Sequence, residues 1–243
     1  MATSNFANAF KGMSTAKVTS GRTPNPALGK AVYLIDSVRM HDGRTSGYRA
    51  QITATCLWGI DNGVNSEGVE VACNKIGDPV ATCIFSGERF QQDFKKFALT
   101  ACGCAPHNEM DVVDLVCPAS DFPDGTDPLT RLETAWDSVL PGMICAFDAE
   151  GEPTDAGVFD GQVAIEVMTV ENAVTQKVNK LGPDDKTNWV FDSDGNPIIK
   201  VYTNTYFNRK VPMQEVGETL DEAGIKRMFG TVERFQELLK ADG

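Results

Sequence analysis

The chain has 243 residues, a formal charge of -12, and 42% hydrophobic and 23% charged residues. That is enough for a well-buried core in one large domain or two small ones, with an ordinary globular composition. No apolar run approaches the ~18–20 residues that a spanning helix needs, and residues 1–29 lack the continuous apolar stretch of a secretory leader. The expectation is a soluble cytoplasmic protein with no membrane partner.

The acidity belongs to one segment. Residues 106–160 hold 13 acids against a single base, Arg131; of the chain's 34 acids and 22 bases, 21 of each lie elsewhere. Residues 1–35 contain no acid and four bases: Lys11, Lys17, Arg22 and Lys30. A ligand feels local potential, so the acidic total does not exclude a polyanionic partner.

In chain order, residues 1–28 are rich in Ser, Thr, Gly and Pro and read as a flexible basic arm. "KAVYLIDSVRM" and "YRAQITATCLWG" flank the turn sequence "HDGRTSG" and predict a hairpin. Its second strand alternates, with Ile52, Ala54, Cys56 and Trp58 on one side and Gln51, Thr53 and Thr55 on the other. "VEVAC" and "PVATCIF" are short strands. The period then lengthens: Phe90, Phe94, Phe97, Ala98 and Ala101 recur at helix spacing, with Ser86 as N-cap and Gly103 past the end. These phenylalanines read as a core stripe.

Within the acidic segment, Asp127 caps a second helix that has Pro128 at its first position and Leu132, Trp136 and Val139 or Leu140 on one face. "GMICAFD" and "GQVAIEVMTVEN" return to strand character. "NWVFDSDGNPIIKVYTNTYFN" predicts a second hairpin through Asp194-Gly195. The C-terminal stretch is helical, with Phe229, Val232, Phe235, Leu238 and Leu239 forming an apolar face. The pattern is mainly β with added helices (α+β): an antiparallel barrel of about five strands with an inserted helix, an acidic looped insertion and a C-terminal helix.

Signatures of catalysis are scarce. No phosphate-binding Gly loop, G-x-S-x-G or H-E-x-x-H is present, and the two histidines, His41 and His107, have no catalytic-looking setting. "DSDGN" (Asp192–Asn196) echoes a calcium loop, but its twelfth position is Thr203 rather than a bidentate Glu, so it reads as a hairpin turn. Seven scattered cysteines fit reduced, buried thiols. Cys102, Cys104, His107 and Cys117 could form a zinc set, yet C-x-C-x2-H lacks the usual C-x2-C pairs, so plain thiols remain the alternative. No metal or cofactor is assigned.

A pairing of rings and cations remains. On the last strand Lys200, Tyr202, Asn204 and Tyr206 share a face, with Arg209 and Lys210 just beyond, opposite Val201, Thr203, Thr205 and Phe207. The first hairpin adds Tyr33, Arg39, Arg44 and Arg49. Rings that stack on bases and cations that track phosphates are what single-stranded nucleic acid binding needs. The same residues also suit an ordinary sheet edge.

"GKAVYLIDSVRMHDGRTSGYRAQITATCLW", then "IFSGERF", the helix "FQQDFKKFALTACG" and the late "NTYFNRKV" together resemble single-stranded-DNA-binding proteins of tailed bacteriophages. The likeness covers residues 29–104 and, more weakly, 160–213. It implies an oligonucleotide-binding (OB) barrel over 29–213 carrying the insertion 106–160, followed by a helical segment, 214–243. It also implies a non-catalytic protein that coats single-stranded DNA in phage replication and recombination, possible homo-oligomers, and a groove lined by Tyr33, Arg39, Arg44, Arg49, Lys200, Tyr202, Tyr206, Arg209 and Lys210. Such proteins often end in an acidic tail that recruits replication or recombination proteins. Here the chain ends in "VERFQELLKADG", and segment 106–160 holds the acid instead. Two rivals make distinct predictions. A phage structural or assembly protein has no DNA affinity, and a nuclease using the 106–160 carboxylates cleaves DNA with a divalent metal.

Overall fold

The computed structural model describes residues 23–43, 47–85, 89–105, 113–115, 117–123, 125–144, 157, 159, 161–178 and 186–242. The sheet is antiparallel. The hairpin β1 (Gly29–Gly43) and β2 (Gly47–Val64) forms its middle. On the far side of β2 lie β3 (Glu70–Val71), at one end, and β4 (Pro79–Phe85), at the other. On the far side of β1 come β5 (Ala164–Thr175) and then β6 (Ile199–Val211).

The sheet curls, so its two edges approach. Thr82 Oγ1 of β4 and Thr205 Oγ1 of β6 are 3.2 Å apart and hydrogen-bonded, although no β4–β6 ladder forms among the described residues. The chain entering β1 runs along β4: Ala81 N–H donates to the Pro24 carbonyl at 2.8 Å. Pro26 lines a small void with Tyr33, Ile35, Ile52 and Phe207.

α1 (Phe90–Ala101) plugs the concave, inner side. Phe94, Phe97, Ala98 and Ala101 are buried there against Ile35, Ile52, Val80 and Val167, as the stripe predicts. The Phe97 and Phe207 rings meet edge-on at 4.9 Å. Full burial of such a ring is worth about 1.5–3 kcal/mol. Gly103 ends the helix with φ 83°, and the Gly103 and Cys104 N–H groups bond back to the Thr100 and Leu99 carbonyls. That is the double hydrogen bond of a glycine-ended helix. Arg89 occupies the N-cap position, and Ser86 lies outside the described residues. α2 (Pro128–Met143) starts after Asp127 with Pro128 at its first position, and Leu132, Trp136, Val139 and Leu140 pack on the same core. It continues through Gly142 and Met143, so the start of the expected strand "GMICAFD" is helix instead.

A second core lies on the outer side. Val32, Leu34 and Leu57 pack there beneath α3 (Met213–Thr219), α4 (Glu222–Phe229) and α5 (Val232–Asp242). The C-terminal stretch is thus three short helices, with a break at Gly230, where φ is 82°. Phe229, Phe235 and Leu238 are buried, as the apolar pattern implies. Only the distal half of the first hairpin is buried on a single face; its proximal half has a core on each face.

β-Bulges set which residues face which side, since one extra residue inverts the alternation. The β1–β2 register shifts leave Asp36, Leu57 and Ile60 without a direct partner. Before Asp36 the inner residues are Ala31, Tyr33 and Ile35; after it they are Val38 and Met40. Likewise Ile52, Ala54 and Cys56 face inward, but beyond Leu57 the Trp58 ring packs in the outer core, contrary to strict alternation. The Asp194-Gly195 turn forms, with Asp192 Oδ1 accepting from the Asp194 and Asn196 N–H groups. Among the described residues it supports the single Phe191–Pro197 bridge, and the ladder partner of β6 is β5.

Candidate nucleic-acid interface

On the β5–β6 arm, cross-strand pairing places Tyr206 opposite Met168, Tyr202 opposite Asn172 and Lys200 opposite Val174. Met168 also pairs with Lys30 of β1, so these residues lie on the outer face, away from Phe207. Tyr202 and Tyr206 are 51% and 50% exposed, enough of each ring for a flat partner to cover. With Val170 and Asn204 they complete an outer strip, Met168 to Val174 against Lys200 to Tyr206, that contains no carboxylate. Lys200 is exposed beside the rings.

Of the sequence candidates, Lys200, Tyr202 and Tyr206 form that surface; Tyr33, Arg209 and Lys210 are engaged elsewhere. Tyr33 is 2% exposed, and its hydroxyl donates to Asn74 Oδ1 at 2.7 Å. Burial, with the nearby Cys56, Cys73 and Asp78, pushes its phenol well above the usual range. It is a core residue because the bulge at Asp36 puts it on the opposite face from Arg39. Arg209 follows a further bulge, at Asn208 of β6, and donates two nitrogens to the Glu215 carboxylate at 2.8 and 2.7 Å and Nε to Glu166 at 3.2 Å. The Glu215 bond is the main reason its guanidinium is held even more firmly protonated than usual. Lys210 Nζ meets Asp242 Oδ1 at 2.8 Å, which ties β6 to the end of α5. Arg44 lies outside the described residues.

Arg39 and Arg49 are half-buried on the outer face of the distal β1–β2 hairpin. The outer rows across β1, β2 and β4 read Arg39–Gln51–Cys83 and His41–Arg49–Phe85. Phe85 is 57% exposed. Sequence reading passed over His41 and Phe85. "PVATCIF" is apolar on both sides, which hides the outward direction of its last ring, and His41 becomes informative only beside Arg49. Lys30 and Arg39 are nine positions apart on one strand, so the two groups of rings and cations lie about 30 Å apart along it, with the outer helical layer between them.

Among the described residues no three His, Cys, Asp or Glu side chains converge to hold a metal. Cys117 is buried with Val113 and Ala135. Cys102 and Cys104 pack at the edge of the inner core, and burial, with Cys104 adjacent, raises the Cys102 thiol to about 11. His107 falls outside the described residues. On α1, Lys95 Nζ lies 5.4 Å from the Trp136 ring centre and Lys96 lies 3.9 Å from Asp93. Glu133 and Asp137 are exposed on α2, and no described helix is long and apolar enough to cross a membrane.

No family model, curated protein or solved structure matches the chain.

Proposed function

We propose that the chain is a single-stranded-DNA-binding protein on an OB-type barrel, acting by binding rather than catalysis in the cytoplasm of a phage-infected cell. The strand pairing supports the barrel. β1 and β2 form a hairpin, β4 joins β2, a helix follows, β5 returns to β1, and β6 lies on β5 with its side chains touching β4. A five-stranded, partly open barrel that binds oligonucleotides on an outer face has this arrangement. The tiny β3 is an addition at the end of β2.

The observation that carries the reading is the half-exposed Tyr202 and Tyr206 beside Lys200 on a strip without carboxylates. Rings held this way stack on bases of any identity, which makes binding weakly sequence-dependent. The acids of segment 106–160 then serve to repel DNA from the wrong face or to recruit replication proteins.

The test is titration of a labelled oligonucleotide at about 50 and 200 mM salt, with and without magnesium. Binding that weakens with salt and leaves the strand intact is expected. Replacing both Tyr202 and Tyr206 by Ala is expected to cost about 1–3 kcal/mol of affinity per ring with the melting temperature nearly unchanged. Absence of binding at low salt, together with high-order assembly, overturns the reading in favour of a structural protein. Cleavage with magnesium overturns it in favour of a nuclease.

A further inference from the structure

We propose that His41 and Arg49 form a phosphate-binding subsite on the outer face of the first hairpin, with Phe85 beside it as a platform for the adjoining base. The three residues occupy one row across β1, β2 and β4. Side chains so paired have Cβ atoms about 4.5–5.5 Å apart, so one tetrahedral oxyanion reaches both nitrogen-bearing groups.

The site carries a mark of an absent acceptor. Among the described residues, Arg49 Nε and His41 Nε2 are buried nitrogens with no hydrogen-bond partner. Native proteins rarely leave such groups unsatisfied, and an orphaned buried donor is costly. A guanidinium edge beside an imidazole suits a phosphate oxygen pair better than a neutral carbonyl. The next row, about 7 Å along the strands, presents Arg39 and Gln51 on the same face, so the polar track continues. Phe85, 57% exposed, has little core to pack against on this face.

The subsite rests on the DNA-binding reading only for what carries the phosphate; the orphaned nitrogens stand apart from Tyr202 and Tyr206. The test therefore has two arms on the full chain. In the first, inorganic phosphate is titrated into wild-type protein while the Arg49 Nε–Hε signal is followed in a nitrogen–proton correlation spectrum; a saturable shift is expected. In the second, an oligonucleotide is titrated into wild type, R49Q and F85A at several salt concentrations. R49Q is expected to weaken binding about tenfold or more and to flatten the log–log salt slope by about 0.7. F85A is expected to weaken binding and leave that slope intact. A shift with phosphate but no oligonucleotide binding by wild type keeps the subsite and overturns DNA as its carrier. Absence of any phosphate shift overturns the subsite, and because that arm uses wild-type protein, a misfolded variant does not obscure it.

Discussion

Glu166 shows how one carboxylate fixes a junction. It is 7% exposed, with Lys30 Nζ at 2.8 Å, Arg209 Nε at 3.2 Å and Asn208 Nδ2 at 3.3 Å. Burial alone would raise its carboxyl. Hydrogen bonds from Lys30 and Asn208 and the charges of Lys30 and Arg209 outweigh that and hold it below its ordinary 4.5. A depressed carboxylate stabilises the fold above its unfolded value, and the contribution is lost as pH falls through the folded one. Acid unfolding of the wild type therefore includes a Glu166 contribution below pH 4.5. Glu166→Gln is expected to cost about 1–3 kcal/mol at neutral pH and to make stability fall less steeply in acid, read by denaturant melts across pH. The loss stays below that of a fully buried pair because Lys30 and Arg209 still reach water, and Arg209 keeps Glu215. A Glu166→Gln variant with the wild-type acid profile would refute this role.

At the scale of elements, the β1–β2 hairpin depends on a close backbone crossing where it starts. Gly29 has φ 105°, and a Cβ there would sit 2.2 Å from the Asp61 carbonyl oxygen and 2.6 Å from the Gly63 nitrogen. Both the conformation and the space exclude a side chain. Gly29→Ala is expected to destabilise by about 3 kcal/mol, from backbone strain and overpacking together, seen as a lower thermal midpoint. An unchanged midpoint would mean that the crossing is not tight. The elements also show what was legible in the sequence. The Phe stripe of α1, its glycine end and the Pro128 start of α2 depend on neighbours within a few residues, and the structure has all three. The bulges at Asp36, Leu57 and Asn208 have no such local signal, and unbroken alternation puts Tyr33 on the face of Arg39 and Trp58 on that of Ile52 and Cys56. Glu166, Glu215 and Asp242, which engage Arg209 and Lys210, belong to other elements and become visible only once the strands pair.

At the scale of the molecule, the outer face divides into a Tyr202–Tyr206 end and an Arg49–Phe85 end, with α3–α5 covering the outer core between them. A strand that engages both must span about 30 Å. Affinity is therefore expected to climb with oligonucleotide length over about 4–16 nucleotides and then to level off. Full affinity from the shortest lengths would restrict binding to one end. Lys200–Met213 contains no acid and serves two ends: the first half of the stretch faces solvent, while Arg209 and Lys210 brace the helical layer.

The stretch before β1 has a consequence for association between copies. β4 borders the sheet, and a bare border strand is a template for another chain. The Pro24 carbonyl occupies the Ala81 N–H, while Pro24 and Pro26 have no N–H of their own to offer a further strand. The few residues preceding Gly29 therefore act as a guard rail. They take up a donor that would otherwise nucleate aggregates and end the hydrogen-bond run there, so the chain protects its own seam before the sheet begins.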